Sequence, residues 1–88
     1  MIYLINISSY PNFKYWVVDD TTGAFLSAPT PQDAITEFER SAFDLTYGDN
    51  NYSITDRYVL CHNKHHGDIL AKAPTIQQLI DNYPEYFI

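Results

Sequence analysis

The densest group of reactive side chains in this 88-residue chain lies in one segment, CHNKHHGD, at positions 61–68. The segment holds all three histidines, the only cysteine and an aspartate. Imidazole, thiolate and carboxylate groups are the ligands by which proteins hold zinc and other transition metals. These residue types therefore indicate a candidate metal site, whose ligands would be Cys61, His65, His66 and Asp68.

The spacing within this segment argues against a metal site. Cys61 and His62 are consecutive on a predicted strand, so they should point to opposite faces of the sheet. If His62 pairs across from Gly67, Cys61 and Asp68 become neighbours across the two strands. His65 or His66 can then join them only if the loop folds back. Recognisable zinc patterns use separated pairs of ligands, which this segment lacks. Two alternatives stay open: an exposed polar turn in which Cys61 is a small buried residue, and a pH-sensitive loop, since histidines titrate near neutral pH.

The sequence carries no pattern that indicates catalysis. The alternation of a strand excludes a dyad of Cys61 and His62, and no glycine-bounded serine elbow is present. The three glycines are too far apart to form a phosphate-binding loop. The adjacent acids Asp19 and Asp20 lie at a predicted turn, where solvation is the ordinary reason for such a pair. We therefore predict a protein that is not an enzyme and uses no cofactor.

The net charge of the chain indicates which kinds of molecule it is expected to bind. Eleven acidic and five basic side chains give a formal net charge of -6. An acidic surface repels phosphate backbones and anionic lipid headgroups, so we expect neither direct nucleic-acid binding nor membrane binding. The same charge is suited to a basic protein partner.

The cysteine content and the first residues indicate a compartment. A single cysteine excludes an internal disulfide and is typical of a reducing environment. The opening stretch, MIYLINISSY, has no basic region, and its apolar run is too short for a signal or membrane-spanning segment. These features predict a cytoplasmic protein.

A repeated segment organises the rest of the chain. GAFLSAPTPQDAITEF at 23–38 recurs as GDILAKAPTIQQLIDNY at 67–83, with one extra residue, Lys72, in the second copy. In each copy we expect a glycine to end a hairpin turn, a strand to follow, and a threonine to cap a helix. We interpret the repeat as a duplication, which predicts a pseudo-twofold axis within the domain.

The predicted element order is β-β-β-α-β-β-α in a single domain spanning residues 1–88. A leading strand at 1–9 precedes two hairpin–helix units, at 13–46 and 52–84, and an apolar tail covers 85–88. The alternation of hairpins and helices predicts an α+β fold with a mainly antiparallel sheet of about five strands. The two hairpin–helix pseudo-repeats should pack their helices on one face of that sheet.

Acidic and aromatic residues form a candidate protein-binding surface. Helical spacing in the first unit places Asp33, Glu37 and Asp44 on one face, opposite an apolar face. Aromatic side chains at the ends of segments accompany these acids, and exposed aromatics are typical of contact sites between proteins. The alternative is a solvated helix face, with tyrosines that cover a small core. The candidate binding residues are Asp33, Glu37, Asp44, Tyr47, Asp49, Tyr52, Tyr86 and Phe87.

One segment also has a family likeness. VVDDTTGAFLSAPTPQDAITEFE, at 17–39, places a strand, a glycine and a second strand before a threonine and an acidic helix. This arrangement resembles HicB-type antitoxin domains over less than half of the chain, and we do not assign the chain to that family. The resemblance implies an antitoxin-like partner domain.

Three functional hypotheses follow from these observations. The first is a non-enzymatic, acidic protein-binding module, such as a phage-type inhibitor of a host nucleic-acid-binding or defence protein. Its partner would be a basic protein, or a second copy of the chain in a homodimer. The second is a metal- or pH-responsive protein that uses the histidine-rich segment between Cys61 and Asp68. The third is the antitoxin-like partner domain.

Overall fold

The computed structural model describes residues 1–7, 14–40, 46–47, 52–54, 58–61 and 65–87, including the side chains of 1–7, 14–40 and 66–87. Seven strands and two helices lie within these ranges. In chain order they are β1 Ile2–Asn6, β2 Tyr15–Asp19, β3 Ala24–Ala28, α1 Pro31–Arg40, β4 Thr46–Tyr47, β5 Tyr52–Ile54, β6 Tyr58–Cys61, β7 His65–Ala73 and α2 Ile76–Asn82. Neighbouring strands are all antiparallel, and their order across the sheet is β4-β3-β2-β1-β7-β6-β5.

Four longer strands, β3-β2-β1-β7, form the centre of this sheet. The shorter strands β4, β5 and β6 extend it on both sides. The fold is therefore a small α+β fold with an antiparallel sheet and two helices, as the sequence predicts. The predicted count of about five strands is not confirmed, because residues 52–61 hold two short strands and Thr46–Tyr47 adds another.

The central position of β1 follows from its two apolar faces. Ile2 and Leu4 are buried on one face, and Ile5, with Ile7 just after the strand, is buried on the other. A strand with two apolar faces buries the most apolar area when it lies inside a sheet, with a neighbouring strand on each side. The neighbours are β2 and β7, and both run antiparallel to β1.

The turn between β2 and β3 depends on Asp19 and Gly23. Gly23 has a φ of 80°, a left-handed conformation that glycine adopts at little cost. Its N–H donates to the carbonyl oxygen of Asp19 at 2.8 Å, while the Asp19 carboxylate accepts from the Thr21 N–H at 2.9 Å. These contacts confirm the hairpin that the sequence predicts at this position.

Each helix begins with the same arrangement. The Oγ1 atom of Thr30 accepts a hydrogen bond from the Asp33 N–H at 3.1 Å, and Oγ1 of Thr75 accepts one from the Gln78 N–H at 3.2 Å. A threonine cap satisfies an amide that the first turn of a helix leaves unpaired. The two predicted caps are therefore confirmed. The described part of α1 extends to Arg40, and the part of the helix that the spacing predicts as far as Asp44 lies outside the described residues.

The pseudo-twofold axis predicted from the repeat is not confirmed. A twofold axis would place equivalent strands of the two hairpins at equivalent positions beside β1. Instead, β1 pairs with β2, the first strand of one hairpin, and with β7, the second strand of the other. Strand β7 also has a bulge, where its register against β1 shifts between Leu4 and Ile5. Leu70 lies at this bulge, between Ile69, which pairs with Ile5, and Ala71, which pairs with Leu4.

The main hydrophobic cluster lies between the sheet and both helices. Ile35 of α1 and Leu79 of α2 are buried in one cluster with Leu4 and Val17 of the sheet. Because the helices share this cluster, both pack on the same face of the sheet. Helix α1 lies over β2 and β3, whereas α2 lies over β7.

Candidate functional site

Helix α1 presents acidic side chains on its outer surface. Ala34 and Ile35 are buried against the sheet, which fixes the rotation of the helix about its axis. The same rotation leaves Asp33, Glu37 and Glu39 exposed. We call these three residues the α1 acids. The exposure of Asp33 and Glu37 agrees with the helical spacing from which the binding surface is predicted, whereas Glu39 is not among the residues predicted for that surface.

One basic residue lies among the α1 acids. Nη1 of Arg40 is 3.4 Å from Oε1 of Glu37, and their side chains are 72% and 48% exposed. An ion pair this exposed contributes at most about 1 kcal/mol, because water screens the two charges. Helix α1 carries three acidic side chains and one basic side chain, so its surface stays net negative.

The other candidate binding residues lie in separate places. Tyr47 is on β4 and Tyr52 is on β5, which are the two outermost strands of the sheet order. The sheet therefore holds these two positions at opposite edges. Asp44 and Asp49 lie outside the described residues.

Tyr86 and Phe87 follow helix α2. Both are half-buried and pack against the main hydrophobic cluster, with their ring centroids 6.5 Å apart in an edge-to-face arrangement. Their N–H groups donate to the carbonyl oxygens of Tyr83 and Pro84, at 3.2 and 3.3 Å. These two aromatic residues thus cover part of the core and keep part of their surface exposed.

The strand register separates the four candidate metal ligands into two pairs. Cys61 lies opposite His65 and not opposite Asp68, which pairs with Tyr58. The expected register is wrong, because β7 begins at His65 and only three residues separate it from the end of β6. Since positions alternate between faces along a strand, 61 and 65 share one face of the sheet while His66 and Asp68 belong to the other. Among the residues described by the structure, no group of three or more potential ligands comes together.

An aromatic cluster that the sequence does not single out lies on the sheet face away from the helices. The rings of Trp16 and Phe25 stack with centroids 5.2 Å apart and an angle of 17° between their planes. With Tyr3 and Ile69 they pack over a buried layer built on Ile5. The signal for this cluster is the segment 13–18, in which both faces of a period-two pattern are apolar. That pattern does not show which face of the sheet the helices cover and which face carries the aromatic side chains.

Within the part of the chain that the structure describes, neither helix has the length and apolar character needed to cross a membrane. Comparisons of the chain with protein-family models, with curated proteins and with solved structures gave no match.

Proposed function

We propose that the protein is a non-enzymatic protein-binding module that uses the α1 acids to bind a basic protein. The observation that carries the proposal is the exposure of Asp33, Glu37 and Glu39 on a helix that Ala34 and Ile35 anchor in the core. An anchored helix presents its charges in a fixed geometry, which lowers the entropy lost on binding. Negative charge also steers a basic partner toward the helix and suppresses contacts with acidic proteins.

A comparison of the two helices supports a functional origin for these acids. Counting from the capping threonine of each helix, Asp33 corresponds to Gln78 and Glu37 corresponds to Asn82. All four residues are exposed, and the two caps have matching hydrogen bonds. Because neutral amides occupy these positions in α2, a helix capped in this way does not need acidic residues there. We also propose that the two hairpin–helix units derive from one duplicated element and that binding uses the residues in which they differ.

The partner that we propose is a host protein whose basic surface normally contacts nucleic acid or serves in defence. Such a surface is built to attract phosphate, so an acidic helix can compete for it. The protein would then act as an inhibitor of the phage-encoded type, in the cytoplasm, without binding nucleic acid or membrane itself. The antitoxin-like role suggested by residues 17–39 is a case of the same proposal, in which the bound partner is a toxin.

A second copy of the chain is the alternative partner, and sedimentation velocity over a range of concentrations tests it.

A capture experiment tests this function. Tagged wild-type protein is incubated with bacterial lysate, and retained proteins are identified by mass spectrometry. The matched variant is Asp33→Gln/Glu37→Asn, which gives α1 the amides that α2 carries at the corresponding positions. We expect the wild type to retain a basic protein that the variant does not retain. We also expect salt near 1 M, where the Debye length is about 3 Å, to release that protein. Equal capture by both proteins would refute the role of the acids.

The metal-responsive function is a second candidate, and one observation favours it. Positions 61 and 65 are direct partners across the β6–β7 hairpin, so a thiol and an imidazole are carried by neighbouring backbone positions on one face. Cysteine and histidine are both zinc ligands. The zinc dependence of thermal stability tests this candidate. Variants that lack His65 or His66 should respond differently to zinc, because only His65 pairs with Cys61.

A further inference from the structure

We draw no further inference here: the strongest candidate, the half-exposed aromatic cluster of Tyr3, Trp16, Phe25 and Ile69 on the sheet face away from the helices, is an apolar surface for which nothing in the structure shows what covers it.

Discussion

Gly67 and Ile7 meet in the packing between β7 and the segment that follows β1, where a Cβ atom on Gly67 would lie 2.6 Å from Cγ1 of Ile7. The same atom would lie 2.9 Å from Cγ2 of Ile5 and 3.1 Å from the carbonyl oxygen of Asn6. Both isoleucines are buried, so a close-packed core leaves them little room to move aside. Gly67 is therefore required for close approach inside a strand, whereas Gly23 is required for the left-handed conformation of a turn.

Replacing Gly67 with alanine should lower the free energy of unfolding by about 1–3 kcal/mol, because the added methyl group overpacks the contact with Ile7. Urea denaturation measures this change. Lys72→Ala is the control, since Lys72 is exposed on the same strand and its replacement should change stability by no more than about 0.5 kcal/mol. Equal stability of the two variants would show that the contact at Gly67 is not tight.

The two capping threonines should contribute equally to stability. Thr30→Ala and Thr75→Ala each remove a hydrogen bond of similar length to a first-turn amide, so each should cost about 1 kcal/mol. Serine keeps the hydroxyl group, and the two serine variants should stay close to the wild type. Thermal and urea denaturation of all four variants gives the comparison. If serine proves as costly as alanine at either site, the loss comes from the missing methyl group and not from the cap.

Leu79 should be the residue that holds α2 on the sheet. It is 0% exposed and belongs to the same cluster as Ile35 of α1. Leu79→Ala should cost about 2–5 kcal/mol, because it removes buried methyl groups and leaves a cavity. Gln78→Ala, at the exposed neighbouring position, is the control and should have a much smaller effect on the urea midpoint. A small loss at position 79 would contradict the packing of α2 against the sheet.

Zinc binding, if it occurs through the β6–β7 hairpin, should distinguish two adjacent histidines. His65 is the partner of Cys61, whereas His66 belongs to the other face of β7. A zinc-dependent rise in Tm should therefore disappear in His65→Ala and persist in His66→Ala, because a ligand that binds only the folded state raises its stability. The absence of any rise in the wild type would exclude the metal-responsive candidate. A rise lost equally in both variants would exclude the pair at 61 and 65 as its origin.

Features with a local physical cause could be predicted from the sequence. The turn at Gly23 and the caps at Thr30 and Thr75 each depend on contacts between residues three or four positions apart. Helical spacing likewise predicts that Asp33 and Glu37 face away from the core, as the structure shows. The exposure of these two acids could therefore be predicted from their spacing, whereas Asp44 and Asp49 lie outside the described residues.

Features that depend on distant segments could not be predicted in this way. Pairing of Cys61 with His65, instead of Asp68, is a matter of register, and a shift of register moves every residue relative to its partner. The bulge at Leu70 and the place of β7 beside β1 depend on how the whole sheet assembles. For the same reason, spacing alone does not reveal that Phe87 packs against the core, since that contact depends on where α2 lies.

The most direct test of the proposed function makes the same change of charge at two different places on the protein. Asp33→Lys/Glu37→Lys reverses the charge of two of the three α1 acids, and Asp68→Lys/Glu85→Lys reverses that of two exposed acids elsewhere. Each tagged variant is checked for folding by circular dichroism, and its capture of the basic partner from bacterial lysate is quantified against the wild type. We expect the α1 variant to lose at least about tenfold in capture, equivalent to about 1.4 kcal/mol, and the control variant to keep the partner. Undiminished capture by the α1 variant, or the same loss in both variants, would contradict a binding site built on the α1 acids.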